Sequence, residues 1–553
     1  MAQSAAVRRG VNRLAIALAA TTALLATSVP GLARPAPTGP SVSVLVRKVS
    51  PLSDLAERAV SAVGGTVTRE LPIVGGFAAQ VPAAAVGFLR GLPGVVRDVT
   101  DAGAIHFEGW YGQNSGSASA VYPAVVGADK AWRNGWTGAG VGIAVIDTGI
   151  NATGDLAGKV VHSEDFSGDG DGVDRFGHGT FIAGLIAGSG AASGGAVRGV
   201  APDANLINLK IAGRDGSADI THVMAALQWA VSFKDTYNIR VINLSLGTDS
   251  TQDYRIDPLN YAVERAWQAG IVVVVSASNR GPNAGTISKP ADDPFVVTVG
   301  AIRDNTTTKA YDDTVPDFSG AGPTASNGLP KPDVVAPGGS VISARVPGSF
   351  IDTNFPNGRV GSAYFKGSGT SFATGITSGT AALILSRNAA LSPDQVKARL
   401  RDTARPAPSS DPNRVGSGVI DAFASTASNS LTAANQGLQA SDGSGSLQAS
   451  RGTLQTAVQT GTVVDALGNP TPVLTAVTGE VTAQVLPFDR LAYQGPWTGS
   501  TWYGSTWYGS TWYGSTWYGS TWYGSTWYGS TWYGSTWYGS TWYGSTWYAD
   551  DWA

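Results

Sequence analysis

Val141-Gly142-Ile143-Ala144-Val145-Ile146-Asp147-Thr148-Gly149 stays apolar for six residues and then turns polar at an aspartate. A strand with one wet face alternates apolar and polar residues. A strand covered on both faces does not, and this run does not. Similar short runs occupy residues 205–211, 240–246, 271–276 and 295–299. Longer segments with helical spacing lie between them, at 217–237 and 258–269. This alternation predicts an α/β fold, a mostly parallel sheet with helices on both faces. In such sheets ligands bind beyond the carboxyl ends of the strands. Asp147 falls at one such end.

A second stretch carries chemistry: Gly367-Ser-Gly-Thr-Ser371-Phe-Ala-Thr-Gly375, opening a helix expected over 371–387. A serine hydroxyl is a weak nucleophile at neutral pH and needs an adjacent base, itself oriented by a third group. The chain has four histidines, His106, His162, His178 and His222, and His178 lies between glycines in Gly177-His-Gly-Thr180. Taken alone, Asp147-Thr-Gly also matches the motif of two-aspartate peptidases. That chemistry needs a second such motif to share a proton, and the sequence has none.

The three motifs, in the order Asp147, His178, Ser371, resemble those of the subtilisin-like serine peptidase family. The resemblance runs from about Val121 to Ala424. It implies a secreted endopeptidase that works through an acyl-enzyme intermediate. It implies Ser371 as nucleophile, His178 as base, Asp147 as orienting carboxylate and Asn279 as oxyanion donor. It implies Ser245-Leu246-Gly247 as a strand that pairs with substrate, and Ser276-Ala277-Ser278 as a pocket wall. Two departures stand out: Gly375 where the family favours proline, and Ser278 where it favours glycine.

The rest of the chain fits around this domain. Arg8, Arg9 and Arg13, the apolar stretch 14–26 and Gly31-Leu-Ala33 read as a signal peptide over 1–33. Residues 41–101 read as a small α+β unit with strands near 41–46, 76–81 and 95–99. Leu71-Pro-Ile-Val-Gly-Gly-Phe-Ala-Ala resembles the family's inhibitory propeptide, which implies that the chain's own first domain is a partner and inhibitor. The catalytic domain is expected over 120–424 and a linker over 425–497. A Thr-Trp-Tyr-Gly-Ser repeat fills most of 498–553. A five-residue period keeps its aromatics on one side of neither a helix nor a flat strand. It reads as a disordered low-complexity tail, or as a multivalent anchor to cell-wall glycan or surface protein. An adhesion protein whose repeat is the working part is the alternative function.

Composition narrows the rest. Cysteine is absent, which removes disulfides and thiolate sites. There are 37 basic and 40 acidic residues without a basic run, so a nucleic-acid partner has no electrostatic footprint. The reaction requires no cofactor. Asp169-Gly-Asp171-Gly-Val-Asp174 is either a solvated acidic loop or a calcium site, since clustered carboxylates suit that ion.

Overall fold

The computed structural model describes residues 41–50, 53–92, 95–101, 104–106, 110–111, 119–450, 452, 457–464 and 470–476, with the Thr-Trp-Tyr units of the repeat between 501 and 547. The signal-like segment 1–33 and the later part of the expected linker, from 477 on, lie outside the described residues. Among these residues no helix is long and apolar enough to cross a membrane.

The first unit is built from strands β1 (Ser41–Lys48), β2 (Thr66–Leu71), β3 (Gly76–Pro82) and β4 (Val96–Asp101), with helices α1 (Leu55–Ala62) and α2 (Val86–Arg90). The strands form an antiparallel sheet in the order β2-β3-β1-β4. Val44, Val46, Phe77, Ala79 and Val81 project from β1 and β3 into one core with Ala56, Val60 and Leu89 of the helices. This is the α+β unit that the strand and helix spacing predicts.

The second unit opens with two short strands, β5 (Ala104–His106) and β6 (Trp110–Tyr111). Its main sheet is made of β7 (Gly142–Asp147), β8 (Val160–Asp165) and β9 (Asn205–Lys210), followed after the short β10 (Ser217–Asp219) by β11 (Ile239–Leu244), β12 (Val272–Ser276), β13 (Val297–Arg303) and β14 (Val334–Gly339). All seven main strands are parallel, in the order β14-β13-β12-β11-β7-β9-β8. Every residue of β7, β12 and β14 is buried, as the unbroken apolar runs require. Strands β15 (Val341–Ala344), β16 (Arg359–Val360) and β17 (Tyr364–Ser368) form a small antiparallel sheet. Two pairs of helices cover the main sheet. Helices α3 (His178–Ala187) and α6 (Thr370–Arg387) pack on each other, and so do α4 (Ile220–Ser232) and α5 (Pro258–Gln268).

Two local differences from the sequence reading matter. The stretch 217–237 does not begin as helix: Ser217–Asp219 is the strand β10, and α4 starts at Ile220. Where a linker is expected from Ser425, the chain instead stays on the domain to Ser450. The Ser441 amide donates to both oxygens of buried Glu264, at 2.9 and 2.8 Å, and the Ser450 hydroxyl donates to Asp257 at 2.8 Å. Burial, with Asp293 beside it, pushes the Glu264 carboxyl far above its ordinary range. In the repeat, each Thr-Trp-Tyr unit is a short strand. It pairs parallel and in register with the unit twenty residues later, Trp502 against Trp522 and Trp507 against Trp527.

Helix α6 contains two buried glycines whose surroundings differ. A Cβ at Gly375 would meet Ile182 at 3.4 Å and Leu185 at 3.6 Å, ordinary contact. A Cβ at Gly379 would lie 2.8 Å from Val200, which is too close. Alanine favours a helix interior over glycine by about 1 kcal/mol. Gly375→Ala is therefore expected to raise the thermal midpoint by roughly 3 °C, and Gly379→Ala to lower it. Thermal unfolding of the two variants checks the sign of each.

Candidate active site

The polar residues of interest sit where three buried strands end. Asp147 closes β7, Ser245 follows β11, and Asn279 lies three residues beyond β12. Helices α3 and α6 deliver His178 and Ser371 to the same end of the sheet.

His178 is the first residue of α3, and Asp147 and His178 are both fully buried. The imidazole Nδ1 is 2.8 Å from Asp147 Oδ1, which also accepts the Thr148 amide at 2.8 Å. The glycines of the two motifs let them close on each other. A Cβ at Gly179 would collide with the carbonyl of Gly149. Gly177 precedes the helix at φ 106°, a conformation that suits a residue without a side chain. Thr148 Oγ1 accepts the Gly179 amide at 2.9 Å and donates to Asp174 at 2.9 Å.

Asp174 is therefore part of this assembly and not of a metal loop. Its carboxylate also accepts the amides of Gly177 at 2.6 Å, Thr180 at 2.9 Å and Phe176 at 3.2 Å. It supplies partners for amides at the start of α3, which has no carbonyls of its own to offer them. Burial nevertheless drives its carboxyl upward against those hydrogen bonds. The other acidic residues of the loop face cations. The buried Lys210 ammonium is 2.7 Å from Asp169 and 3.7 Å from Asp171, and Arg175 bonds both oxygens of Asp171 at 2.7 and 2.8 Å. The Arg175 guanidinium holds the Asp171 carboxyl well below its usual range. A loop neutralised by two built-in cations does not fit a calcium ion, and no step of the chemistry passes through one.

Ser371 lies in the first turn of α6 and is almost fully buried. Its hydroxyl donates to the Ser245 carbonyl at 3.3 Å, and the Ser245 hydroxyl returns a bond to the Ser371 carbonyl at 3.1 Å. The ring of the next residue, Phe372, has its centroid 5.9 Å from that of His178. Asn279 Oδ1 accepts both the amide and the hydroxyl of Thr370, at 2.8 and 2.9 Å. A backbone amide can donate only to an oxygen, so these bonds fix which end of the Asn279 side chain is which. The Nδ2 donor then points the other way.

Residues 247–248, 277–278 and 288–289 meet from separate loops. Thr248 and Lys289 exchange backbone hydrogen bonds, and Ser288 donates its amide to Ala277. Ser288 stands directly over Gly247, where a Cβ would strike its hydroxyl. Ser278 adopts φ 116°, and its hydroxyl donates to the Thr286 carbonyl. That hydrogen bond anchors a residue in a conformation usually left to glycine.

A family profile, described as the subtilase family, matches residues 138–445. The chain belongs to the subtilase family. It is similar to serine protease AprX of Bacillus subtilis, with 44% identity over 303 residues, which cover 53% of this chain and 68% of that protein. Subtilisin DY of Bacillus licheniformis is 35% identical over 284 residues, covering 51% of this chain and 89% of it. Subtilisin Savinase of Lederbergia lenta is 35% identical over 305 residues, covering 54% and 96%. This subtilase is thus a serine endopeptidase on the fold that the apolar runs predict.

Asp174 is the part of this site whose role the sequence reading missed. Asp174 lay in an acidic run that invites a metal reading, and its role depends on folding back onto Thr148. Replacing Asp174 by alanine leaves several buried donors unpaired, at about 1–3 kcal/mol each. Asp174→Ala is expected to unfold at least 10 °C below the parent protein, and Asp174→Asn, which keeps one acceptor oxygen, by clearly less. Equal melting of all three proteins in calorimetry would contradict the role assigned to this carboxylate.

Proposed function

We propose that this subtilase cleaves peptide bonds with Ser371 as nucleophile, His178 as general base and acid, Asp147 as orienting carboxylate and Asn279 as oxyanion donor. The observation that carries the reading is the fully buried 2.8 Å contact between His178 Nδ1 and Asp147. With Nδ1–H held by the carboxylate, Nε2 is left as the basic nitrogen. It takes the proton of Ser371 Oγ as the oxygen attacks the substrate carbonyl, and then passes it to the leaving amine. Negative charge develops on the carbonyl oxygen. The Ser371 amide at the start of α6 and Asn279 Nδ2 are the donors that meet it. Asp147 stabilises the imidazolium in between. Water then repeats the sequence on the acyl-enzyme. No cofactor enters.

Polypeptide substrate lies extended along residues 245–247 and β10 and bonds through its main chain. Residues 276–278 flank the side chain before the cut. The enzyme is exported through its signal-like start. Its first unit acts as propeptide and inhibitor, and the enzyme activates itself by removing that unit. The aromatic repeat tethers it to glycan or surface protein.

Ser371→Ala is expected to abolish hydrolysis of a peptide library read by mass spectrometry, with the thermal midpoint unchanged. Asn279→Ala should lower kcat by about a hundred- to a thousandfold with little change in KM, a magnitude taken from subtilisin, a relative of this chain. Turnover by Ser371→Ala comparable to the parent would refute the mechanism.

Truncation after Gln494 is expected to leave peptide hydrolysis intact and to reduce pull-down on isolated cell walls. Equal retention with and without the repeat would remove the tether from the proposal.

A further inference from the structure

Ser450 is fully buried, although it stands far along the chain from the other residues of the site. It closes a ring of interactions at the end of the 245–247 segment. Its carbonyl accepts the Thr248 hydroxyl at 2.5 Å. Thr248 exchanges main-chain hydrogen bonds with Lys289, at 2.9 and 2.8 Å. The buried Lys289 ammonium lies 3.9 Å from Asp257, and Asp257 accepts the Ser450 hydroxyl at 2.8 Å. Two members of the ring adjoin the pocket. Thr248 directly follows Ser245-Leu246-Gly247. Lys289 follows Ser288, which donates its amide to Ala277 at 3.1 Å and stands over Gly247.

The segment that delivers Ser450 is itself fastened to the loop 248–257. The amides of Asp442 and Gly445 donate to the carbonyls of Arg255 and Ile256, at 2.8 and 2.6 Å. The Gln252 side chain is held at both ends by Ser446: Nε2 donates to its carbonyl at 3.0 Å, and Oε1 accepts its amide at 2.9 Å. Just beyond, a Cβ at Gly452 would strike the Ser250 amide, so the chain lies hard against this loop.

A strand that binds peptide through its main chain must hold its amides and carbonyls in a fixed row. Gly247 has no side chain with which to anchor its end of that row. Its placement falls to Thr248 and the ring. We propose that residues 441–450 are a strap that positions the substrate strand, with Thr248 and Ser450 as the positioning pair. This inference rests on the reading of residues 245–247 as the strand that pairs with substrate. Such pairing is common to the ground state and the transition state, so loosening it raises KM and spares kcat. The effect is confined to substrates long enough to reach the strand.

The test is steady-state kinetics of the full-length protein beside Thr248→Val, Ser450→Ala and the double variant. Each is standardised by titrating its active serine with a fluorophosphonate. Two substrates are compared: a hexapeptide with several residues before the cut, and a single-residue acyl ester too short to pair with the strand. KM for the hexapeptide is expected to rise about three- to tenfold in each single variant, the span that loss of one hydrogen bond covers. Turnover per titrated site and KM for the ester should stay at the parent's values. Both changes open the same ring, so the double variant should be no weaker than the worse single one. An equal rise of KM for the two substrates, or effects that add in the double variant, reduces the strap to general support and overturns the proposal. Gly247→Ala, whose Cβ would strike Ser288, displaces the strand directly. If it raises the hexapeptide KM while the strap variants do not, the strand reading stands and the strap falls. If it too leaves KM unchanged, the strand reading falls and takes the strap with it. Should Thr248→Val fail to fold, Ser450→Ala decides through the comparison of the two substrates.

Discussion

A carboxylate and an imidazole, both wholly buried and 2.8 Å apart, set the terms for the rest of the site. A buried charge without partners costs several kcal/mol, and half of a buried pair is worse than none. The surrounding motifs read as answers to that cost. Thr148 turns its amide back onto Asp147. Glycines at 149 and 179 let the end of β7 and the start of α3 approach until Thr148 can accept an amide from the helix. Asp174 then gathers the amides that α3 leaves unpaired. A sheet covered on both faces leaves room for such charged groups chiefly where its strands stop, and Asp147, Ser245 and Asn279 stand there.

The same rule governs charges far from the site. Asp333, buried just before β14, faces Lys331 at 2.7 Å and Lys397 at 3.3 Å, and it accepts the Thr298 amide. Burial alone would raise its carboxyl, but the two ammonium groups outweigh it and hold it near a pKa of about 2. Lys397 shows the opposite outcome. Burial brings its ammonium down to about 7 even with Asp333 beside it. Lys210 serves the acidic loop in the way that an ion would, by placing a cation among carboxylates. A calcium reading from composition alone counts the acids correctly and misses the lysine, which comes from β9, some forty residues away.

What the sequence reveals follows the range of the interactions involved. Strands β7 and β12 are legible because burial on both faces writes itself into consecutive residues. The capping box at Ser392, with Gln395 returning the bond, is legible because it closes within four residues. Ser371, His178 and Asp147 are legible through short motifs whose glycines are demanded by local close approach. Strand β10 is not, because three residues ahead of a helix become a strand only through a partner more than a hundred residues earlier. Residues 425–450 look like linker by composition, and their order comes from Glu264 on α5 and Asp257, which caps that helix, and no local pattern announces this. The repeat's odd period, which suits neither a helix nor a flat strand, fits a parallel arrangement whose turn is four repeats long. Like residues then pair with like residues in backbone register, without any need for alternation.

Strand edges explain why one site can hold both foreign peptide and its own chain. An uncovered edge offers amides and carbonyls in a row and pairs with any extended segment of suitable direction. That openness suits β10 and β17 to main-chain pairing with an extended segment whatever its side chains. It also makes them a hazard before the enzyme is needed. Here β5 covers β10 and β6 covers β17, each through antiparallel main-chain pairs. A cover attached to the enzyme is favoured by its high effective concentration.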